Sequence, residues 1–249
     1  MPEIVTPQVQ LIAWTEFHTP AGVDWQTDAD GGAALAEFAG RSCYQAWEKK
    51  VPATASNAGY LAHVLQVGHL AVLEHASATF YLTGISRALA GELTRHRHFS
   101  FSALSPRHQA ERTDVVEPAA VAADPELHEA FLAGVTAAET AHRELLAALA
   151  ERHADSEQAG LRRKQLRQAA RTLLPGATAT TLVITGNLRA WRQLIALRAA
   201  EHADHEMRAV VIECLRQLRD LAPSVFADFV ITKLPDSSEL ASSPLVSEL

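Results

Sequence analysis

The sequence has few cysteines, no long apolar run and no segment that looks like an export signal. Its two cysteines, Cys43 and Cys214, lie far apart and do not suggest a disulfide framework, and we interpret both as buried structural thiols. No apolar run approaches the length of a membrane span, and the first residues lack a basic region followed by an apolar one. These absences argue against a disulfide-rich secreted protein and predict a cytoplasmic one.

An excess of positive charge is lacking as well. The 22 lysines and arginines are outnumbered by 29 aspartates and glutamates, which gives a net charge of -7. Proteins dedicated to nucleic acid usually show a basic balance, so we do not expect a nucleic-acid partner. The chain also lacks the Gly-x-Gly-x-x-Gly fingerprint, so a cofactor held in the Rossmann manner is not expected. A local cationic pocket in an acidic chain suits a small anionic ligand.

The hydrophobic pattern predicts an α+β protein with a mixed sheet at its core and long flanking helices. The predicted strands, 8–14, 76–82 and 178–185, do not alternate singly with helices, as they would in a doubly wound sheet. At 48% hydrophobic content the chain can bury one sizeable core, so residues 1–234 are expected to form a single domain. The Ser-rich tail, 235–249, lacks a helical stripe and is expected to be loosely held. Helices are predicted at 33–44, 57–69, 87–94, 125–153, 156–173, 187–200 and 204–221.

What the sequence does have is a dense cationic motif on a predicted loop. Arg95, His96 and Arg97 are followed, after seven residues, by Ser105, and Arg107 comes two positions later. Guanidinium groups held close together repel each other. An anion between them offsets that repulsion, because arginine binds phosphate through paired, charge-assisted hydrogen bonds. The motif therefore predicts a site for a phosphate-bearing small molecule, with a solvated surface run as the alternative.

A second cationic cluster lies on the helix predicted at 156–173. Arg163, Arg167 and Arg171 are spaced four residues apart, so they share one face of that helix. Such a face is either solvated or directed at an anion. In the second case Arg171 would lie closest to the ligand, because it abuts the Leu-Pro turn that ends the helix.

A third cluster begins at Asn187, which we expect to cap the next helix. Trp191 and Arg198 follow at helical spacing and can share a face with it. Core packing is the expected role of Trp191. Arg198 either faces a ligand or pairs with Glu201 or Glu206, and the spacing alone leaves both roles open.

The motif at residues 95–105 (RHRHFSFSALS) resembles the signature of the flavin-dependent thymidylate synthases. The resemblance extends over most of the chain and implies the fold of that family, which is α+β and non-Rossmann. It also implies a homotetramer with active sites between subunits. Three further segments carry the resemblance: Gly68-His69 with the following Glu74-His75, the Ala-Arg-x-x-Leu-Pro run at 170–175, and the stretch 185–208.

The resemblance implies a methyltransferase that converts dUMP to dTMP by reductive methylation. In that reaction methylenetetrahydrofolate supplies the carbon, reduced FAD supplies a hydride, and NADPH reduces the flavin again. A different route to thymidylate adds a cysteine thiolate to the uracil ring, but neither cysteine of this chain looks equipped for it.

The resemblance also implies roles for individual residues. Arg198 would be the catalytic residue, a fixed guanidinium that polarises the uracil ring. Ser105 would donate a hydrogen bond to the substrate phosphate, with a covalent role as the alternative. Ala71, Ala103 and Gln193 depart from the residues common in the family at these flavin contacts. The implied substrate contacts are Glu92, Arg95, Ser105, Arg107, Arg171 and Arg198. The implied flavin contacts are His69, Ala71, Arg95, His96, Arg97, Ala103, Asn187, Arg189 and Gln193.

Two other functions are compatible with parts of the sequence. The histidines, with His96-x-His98 and His202-x-x-His205-Glu206, invite a metal hydrolase, but the motif His-Glu-x-x-His is absent and no metal is expected. A non-enzymatic nucleotide- or RNA-binding module would instead show binding to polyanions that depends steeply on salt. A yellow purified protein that NADPH bleaches would exclude both.

Overall fold

The structure is a computed structural model that describes residues 2–105, 114–152 and 159–246, with residues 159–163 described by their backbone alone. It contains both helices and sheets, and the α+β class predicted from the sequence is confirmed. The strands are β1 (Gln8–Trp14), β2 (Ser77–Ser86), β3 (Phe99–Ala103), β4 (Ala179–Asn187), β5 (Val230–Lys233) and β6 (Glu239–Ser242). The helices are α1 (Gly31–Tyr44), α2 (Asn57–Gln66), α3 (Arg87–Leu93), α4 (Ala119–Ala122), α5 (Pro125–Arg152), α6 (Ala159–Ala170), α7 (Leu188–Arg198), α8 (His205–Leu221) and α9 (Pro223–Phe226). Short 3₁₀ helices span Pro52–Thr54, Leu70–Glu74 and Arg171–Leu173.

The strands form a four-stranded sheet and a two-stranded sheet. In the larger sheet the strands lie in the order β1-β2-β4-β3. The smaller sheet pairs β5 with β6 in antiparallel register, from Val230 opposite Ser242 to Lys233 opposite Glu239. β6 lies in the tail that we expected to be loosely held. That expectation is not met up to residue 246, because the backbone of β6 pairs with β5 and the side chain of Ala241 is buried.

The chain divides into two compact units that interleave along the sequence. The first unit consists of Met1–Gln8, Leu82–Leu93 and Ser102–Leu182. The second unit consists of Val9–Tyr81, Thr94–Phe101 and Val183–Leu249. Each unit is assembled from segments that are distant in sequence. The single domain expected over residues 1–234 stays a prediction.

The core of the second unit is built around Trp191 of α7. Its side chain is buried, and its ring contacts the rings of Phe80 and Phe99, each at a centroid distance of 4.9 Å. The indole Nε1 donates a hydrogen bond to the backbone carbonyl of Ala78 at 3.1 Å, which satisfies the polar end of the ring. The core role predicted for Trp191 is therefore confirmed.

β3 lies within the cationic motif, where we predicted a loop. Phe99 and Phe101 alternate with serines, which is the period of a strand. The ring of Phe99 lies directly against Gly186 of β4, where an added β-carbon would come within 2.3 Å of it. Packing of an aromatic ring into the space left by a glycine therefore holds β3 in place, and the loop is limited to residues 95–98.

Two further expectations need correction. α2 ends at Gln66 rather than near His69, because Gly68 adopts a φ of +75°, in the left-handed region that ends a helix. Cys43 is exposed and not buried, because it lies on the outer face of α1, whereas Cys214 is buried as predicted.

The first unit contains the long helix α5. Asp124 Oδ1 accepts hydrogen bonds from the backbone N–H groups of Glu126 and Leu127 at 2.9 and 3.4 Å, and this cap starts the helix. α6 is described from Ala159, so the helix start predicted near residue 156 lies outside the described residues. Within the ranges that the structure describes, no helix is long and apolar enough to cross a membrane.

Candidate functional site

A cavity of about 540 Å³ lies in the second unit. Its volume falls within the range of small-molecule sites, roughly 300–1,000 Å³. Four parts of the chain form its walls: the 3₁₀ helix Leu70–Glu74, the residue before β3, the first turns of α7 and the C-terminal tail. The lining residues are Leu70, Glu74, His98, Asn187, Arg189, Ala190, Arg192, Gln193 and Val246.

The first turns of α7 present polar groups to the cavity. Asn187 caps the helix, as predicted, because its Oδ1 accepts a hydrogen bond from the backbone N–H of Ala190 at 2.8 Å. Arg189 and Gln193 lie four residues apart and share a face of the helix. A helix N-terminus carries a partial positive charge. Together with a guanidinium it favours a ligand that is anionic or that accepts hydrogen bonds.

An ion pair connects α7 to the 3₁₀ helix Leu70–Glu74. Arg189 Nη1 lies 2.5 Å from Glu74 Oε1, and the two side chains are 49% and 48% exposed. A pair this exposed contributes roughly 0–1 kcal/mol to stability. The predicted flavin residues His69 and Ala71 lie at the start of this 3₁₀ helix, are exposed, and are not among the lining residues.

Arg192 is a buried lining residue that the sequence analysis does not identify. Its side chain is 2% exposed, and its two Nη atoms donate to the two carboxylate oxygens of Asp228 at 2.6 and 2.7 Å. Burial raises the pKa of Asp228, but hydrogen bonds from Arg192 and Ser243 outweigh burial and lower it. Arg192 Nε is buried and has no hydrogen-bond partner in the part of the chain that the structure describes. A buried donor without a partner is uncommon in a folded protein, and this one belongs to a side chain that forms part of the cavity wall.

His96 holds Arg198, the predicted catalytic residue, at the end of α7. Arg198 Nε donates a hydrogen bond to His96 Nε2 at 3.0 Å. Burial, and then the positive charges of Arg198 and Arg95, lower the pKa of His96 below its ordinary value. His96 is therefore neutral at neutral pH, with its proton on Nδ1 and the lone pair of Nε2 facing the guanidinium. The cationic motif and the third cluster meet at this pair.

The other predicted residues of the second unit divide between the cavity and the surface. Asn187, Arg189 and Gln193 line the cavity, as expected of flavin contacts. Arg95 and Arg97 are exposed and do not line it. The structure therefore brings the α7 residues to one cavity and leaves the two arginines of the cationic motif outside its wall.

Four predicted site residues belong to the first unit. Glu92 lies in α3 and is half-buried, and Arg171 begins the 3₁₀ helix that follows α6. Ala103 ends β3 and is exposed, and Ser105 follows it and is half-buried. Arg107 lies outside the described residues. The substrate and flavin contacts assigned to these five residues stay predictions.

Six lining residues are not among the predicted flavin contacts. Glu74 belongs to a segment that the sequence singles out, and His98 directly follows the cationic motif, so widening those two motifs would include both. Arg192 carries no local signal, because its partner Asp228 lies 36 positions away. Val246 lies in the Ser-rich tail, where no pattern marks it. The six are Leu70, Glu74, His98, Ala190, Arg192 and Val246.

Neither cysteine of the chain belongs to a metal-binding group within the described residues. Among those residues, no group of three or more His, Cys, Asp or Glu side chains is arranged to hold a metal ion. Burial raises the pKa of the Cys214 thiol, which keeps it protonated. The exposed thiol of Cys43 donates to the backbone carbonyl of Ala39 at 3.4 Å.

Comparison with known proteins gives consistent matches over the whole chain. Residues 26–224 match a family model described as "Thymidylate synthase complementing protein". A protein from Mycolicibacterium vanbaalenii is 58% identical over 250 residues, one from Mycobacteroides abscessus is 59% identical over 249, and one from Mycobacterium tuberculosis is 56% identical over 249. Each of these matches covers 100% of both chains, and each of the three proteins is named flavin-dependent thymidylate synthase.

Proposed function

This chain belongs to the family of flavin-dependent thymidylate synthases, and on that basis we propose that it methylates dUMP to dTMP. The names of full-length relatives at 56–59% identity support this activity. We further propose methylenetetrahydrofolate as the carbon donor, NADPH as the reductant and the family's fold, all from the resemblance of the motifs. The low cysteine content supports the cytoplasm as the compartment.

The cavity in the second unit is the proposed FAD site. Arg189 and Gln193 supply donors, the charge of the lining carboxylate Glu74 is balanced by its ion pair with Arg189, and Leu70 and Val246 add apolar surface. A flavin presents a flat apolar ring edged with hydrogen-bond acceptors, together with an anionic diphosphate, so this set of side chains fits it. When bound and reduced, FAD supplies the hydride that the methylation requires. Further residues proposed to contact FAD are His69, Ala71, Arg95, His96, Arg97, Ala103 and Asn187.

Arg198 is the proposed catalytic residue. A guanidinium fixed beside the uracil ring stabilises negative charge that develops on the ring oxygens during the reaction. The hydrogen bond from Arg198 Nε to His96 supports this role, because it restricts the long side chain to one orientation. His96 is neutral in this pair and adds no positive charge of its own beside the guanidinium.

The substrate phosphate is proposed to contact Arg95, Ser105, Arg107 and Arg171, with Glu92 near the nucleotide. Arginine forks and a serine hydroxyl are suitable donors for a phosphate. The resemblance supports a homotetramer in which Arg171 reaches the substrate of a neighbouring subunit.

The observation that carries the proposal is that a single helix, α7, lines a cavity at its start and holds Arg198 at its end. To test it, the purified protein is examined for flavin absorption, for bleaching by NADPH without oxygen, and for dTMP formation from dUMP and methylenetetrahydrofolate. We expect a yellow protein that NADPH bleaches and that forms dTMP only when all three substrates are present. A colourless protein that binds neither FAD nor dUMP would overturn the proposal. Salt-sensitive binding of polyanions without turnover would favour the nucleotide- or RNA-binding alternative.

A further inference from the structure

We propose that the C-terminal segment, residues 243–246, contributes to cofactor binding. Val246 contacts the bound cofactor, and Ser243 acts as a positioning residue for Arg192. This inference rests on the proposed function, because it takes FAD as the occupant of the cavity. Two independent sets of contacts support it. Backbone hydrogen bonds and apolar contacts bring Val246 to the cavity, and hydrogen bonds through the charged side chain of Asp228 connect Ser243 to Arg192.

The C-terminal segment is held against α7 by the strand that precedes it. The backbone N–H of Ala241 donates to the carbonyl of Ala199 at 2.9 Å, and Ala199 directly follows Arg198. Glu239 Oε2 accepts from Arg216 Nη2 at 2.5 Å, which ties the start of β6 to α8. These contacts bring the tail to the helix that carries the proposed flavin and uracil contacts.

A turn after β6 then directs the chain into the cavity. The backbone N–H of Leu245 donates to Ser243 Oγ at 3.0 Å, a local hydrogen bond typical of a serine turn. Val246 follows and lines the cavity together with Leu70. Val246, Leu70 and Ala190 are the apolar residues of the lining as the structure describes it, so Val246 supplies part of the surface against which an apolar ring can pack.

A chain of hydrogen bonds runs from the C-terminal segment to a wall of the cavity. Ser243 Oγ donates to Asp228 Oδ2, and both oxygens of that carboxylate accept from Arg192. Arg192 is buried at the cavity wall and keeps an unsatisfied Nε. The guanidinium of Arg192 is held by that carboxylate and by the backbone carbonyl of Val225, and Ser243 fixes one of the two carboxylate oxygens. Loss of the Ser243 hydroxyl therefore loosens the Arg192 side chain, which forms part of the cavity wall.

The test measures FAD binding to the deflavinated full-length protein by flavin fluorescence, with turnover and thermal unfolding recorded beside it. Val246→Asp is expected to weaken FAD binding about tenfold or more, because a carboxylate at the apolar wall must be desolvated against the ring. Val230→Asp is the matched control, since Val230 is exposed on β5, and it is expected to change FAD binding less than about twofold. Val246→Thr keeps the shape of the side chain and is expected to give a smaller loss in the same direction.

Ser243 is tested by substitution and rescue. Ser243→Ala is expected to weaken FAD binding roughly threefold to tenfold, in line with the net contribution of one typical hydrogen bond, because Ser243 acts on the site only through Asp228 and Arg192. Ser243→Thr keeps the hydroxyl and is expected to restore FAD binding. If Ser243 only stabilised the fold, the loss of FAD binding in each variant would instead parallel the fall in its melting temperature. Ser242→Ala, on the exposed end of β6, is the control.

The outcomes separate this inference from the proposed function. Failure of the wild-type protein to bind FAD would overturn both. Wild-type binding with equal FAD affinity in Val246→Asp and Val230→Asp would remove Val246 from the site and leave the proposed function intact. Equal FAD affinity in Ser243→Ala and wild type would likewise remove Ser243 as a positioning residue.

Discussion

Two helices that the sequence predicts equally well differ in how much of their surface is packed. α5 is 28 residues long and buries only Val135, although the structure describes every one of its residues. α7 is 11 residues long and buries seven of them, Leu188, Ala190, Trp191, Arg192, Leu194, Ile195 and Ala196. A helix packed over most of its surface holds its polar side chains in defined positions, and this is why the candidate site is built on α7.

The apolar stripe of α5 stays largely accessible in the single chain. Leu127 is 50% exposed, and Phe131, Leu145 and Leu149 are only partly buried. A long helix with this pattern suits packing between subunits, as the proposed homotetramer requires. Helical periodicity therefore predicts that a helix forms, but it does not tell whether its partner lies in the same chain.

The largest expected difference between the two helices is in core stability. Trp191→Ala in α7 should lower the free energy of unfolding by roughly 3–5 kcal/mol, because a buried indole and its ring contacts are lost. Glu129→Ala, at an exposed position of α5 outside its apolar stripe, should change it by about 0.5 kcal/mol or less. Urea denaturation of both variants measures the difference. Similar losses would show that α7 is no better packed than α5.

The next effect is on catalysis. Arg198→Lys should lower kcat by roughly 10²–10³-fold, because an ammonium cannot reproduce the guanidinium that His96 orients. FAD binding should be retained. Arg143→Lys in α5 is the matched control and should leave kcat unchanged. The exposed guanidinium of Arg143 donates a long hydrogen bond of 3.4 Å to Thr140. Turnover at the wild-type rate in Arg198→Lys would remove Arg198 from the catalytic role.

A smaller effect is expected on the pH dependence of the reaction. The pKa of His96 is lowered from 6.5 by burial and by Arg198 and Arg95, so the unfolded chain binds this proton before the folded chain does as pH falls. The contribution of neutral His96 to the stability of the folded protein, including its hydrogen bond with Arg198, is therefore complete above pH 6.5. It is lost as the pH falls from 6.5 through the pKa of His96 in the folded protein. We expect kcat/KM to fall several-fold over that window.

The pH effect is assigned by substitution. His96→Gln keeps a hydrogen-bond acceptor but does not titrate, so it should flatten the acid side of the pH profile of kcat/KM. His142 of α5 also has a pKa lowered by burial, and His142→Gln should leave the profile unchanged. A wild-type profile in His96→Gln would assign the acid limb to another group.

The smallest effect concerns the exposed ion pair of α7. Glu74→Gln should lower the free energy of unfolding by roughly 0.2–1 kcal/mol, since both members of its pair with Arg189 are about half exposed. Glu144→Gln, on an exposed position of α5, is expected to have no measurable effect. Thermal unfolding at low and high salt distinguishes the two, because only the Glu74 effect should diminish with added salt.

Local sequence patterns predict most of the fold because they act over a few residues. β1 has the predicted bounds, and Asn187 caps α7 as expected, since alternation and capping are read from neighbouring positions. The short strands β3, β5 and β6 are missed. Each has only four or five residues, which is too short for a clear alternating pattern. β3 also depends on a partner distant in sequence, Gly186 beneath Phe99, whereas β5 and β6 pair with each other as a hairpin.

In the candidate site, too, local motifs predict some of the residues and miss those that depend on distant contacts. Motif resemblance identifies Asn187, Arg189 and Gln193, and all three line the cavity. It does not identify Arg192 or Val246, because their contribution depends on partners and positions far away along the chain.

By itself, the order of amino acids determined where most helices and strands begin, which family the chain belongs to, and which arginines are candidates for binding anions. These properties depend on side chains a few positions apart. Only the tertiary structure decided that His96 accepts from Arg198, that Asp228 pairs with Arg192, and that Val246 reaches the cavity. Those contacts join atoms separated by tens of residues or more, and packing rather than local preference brings them together.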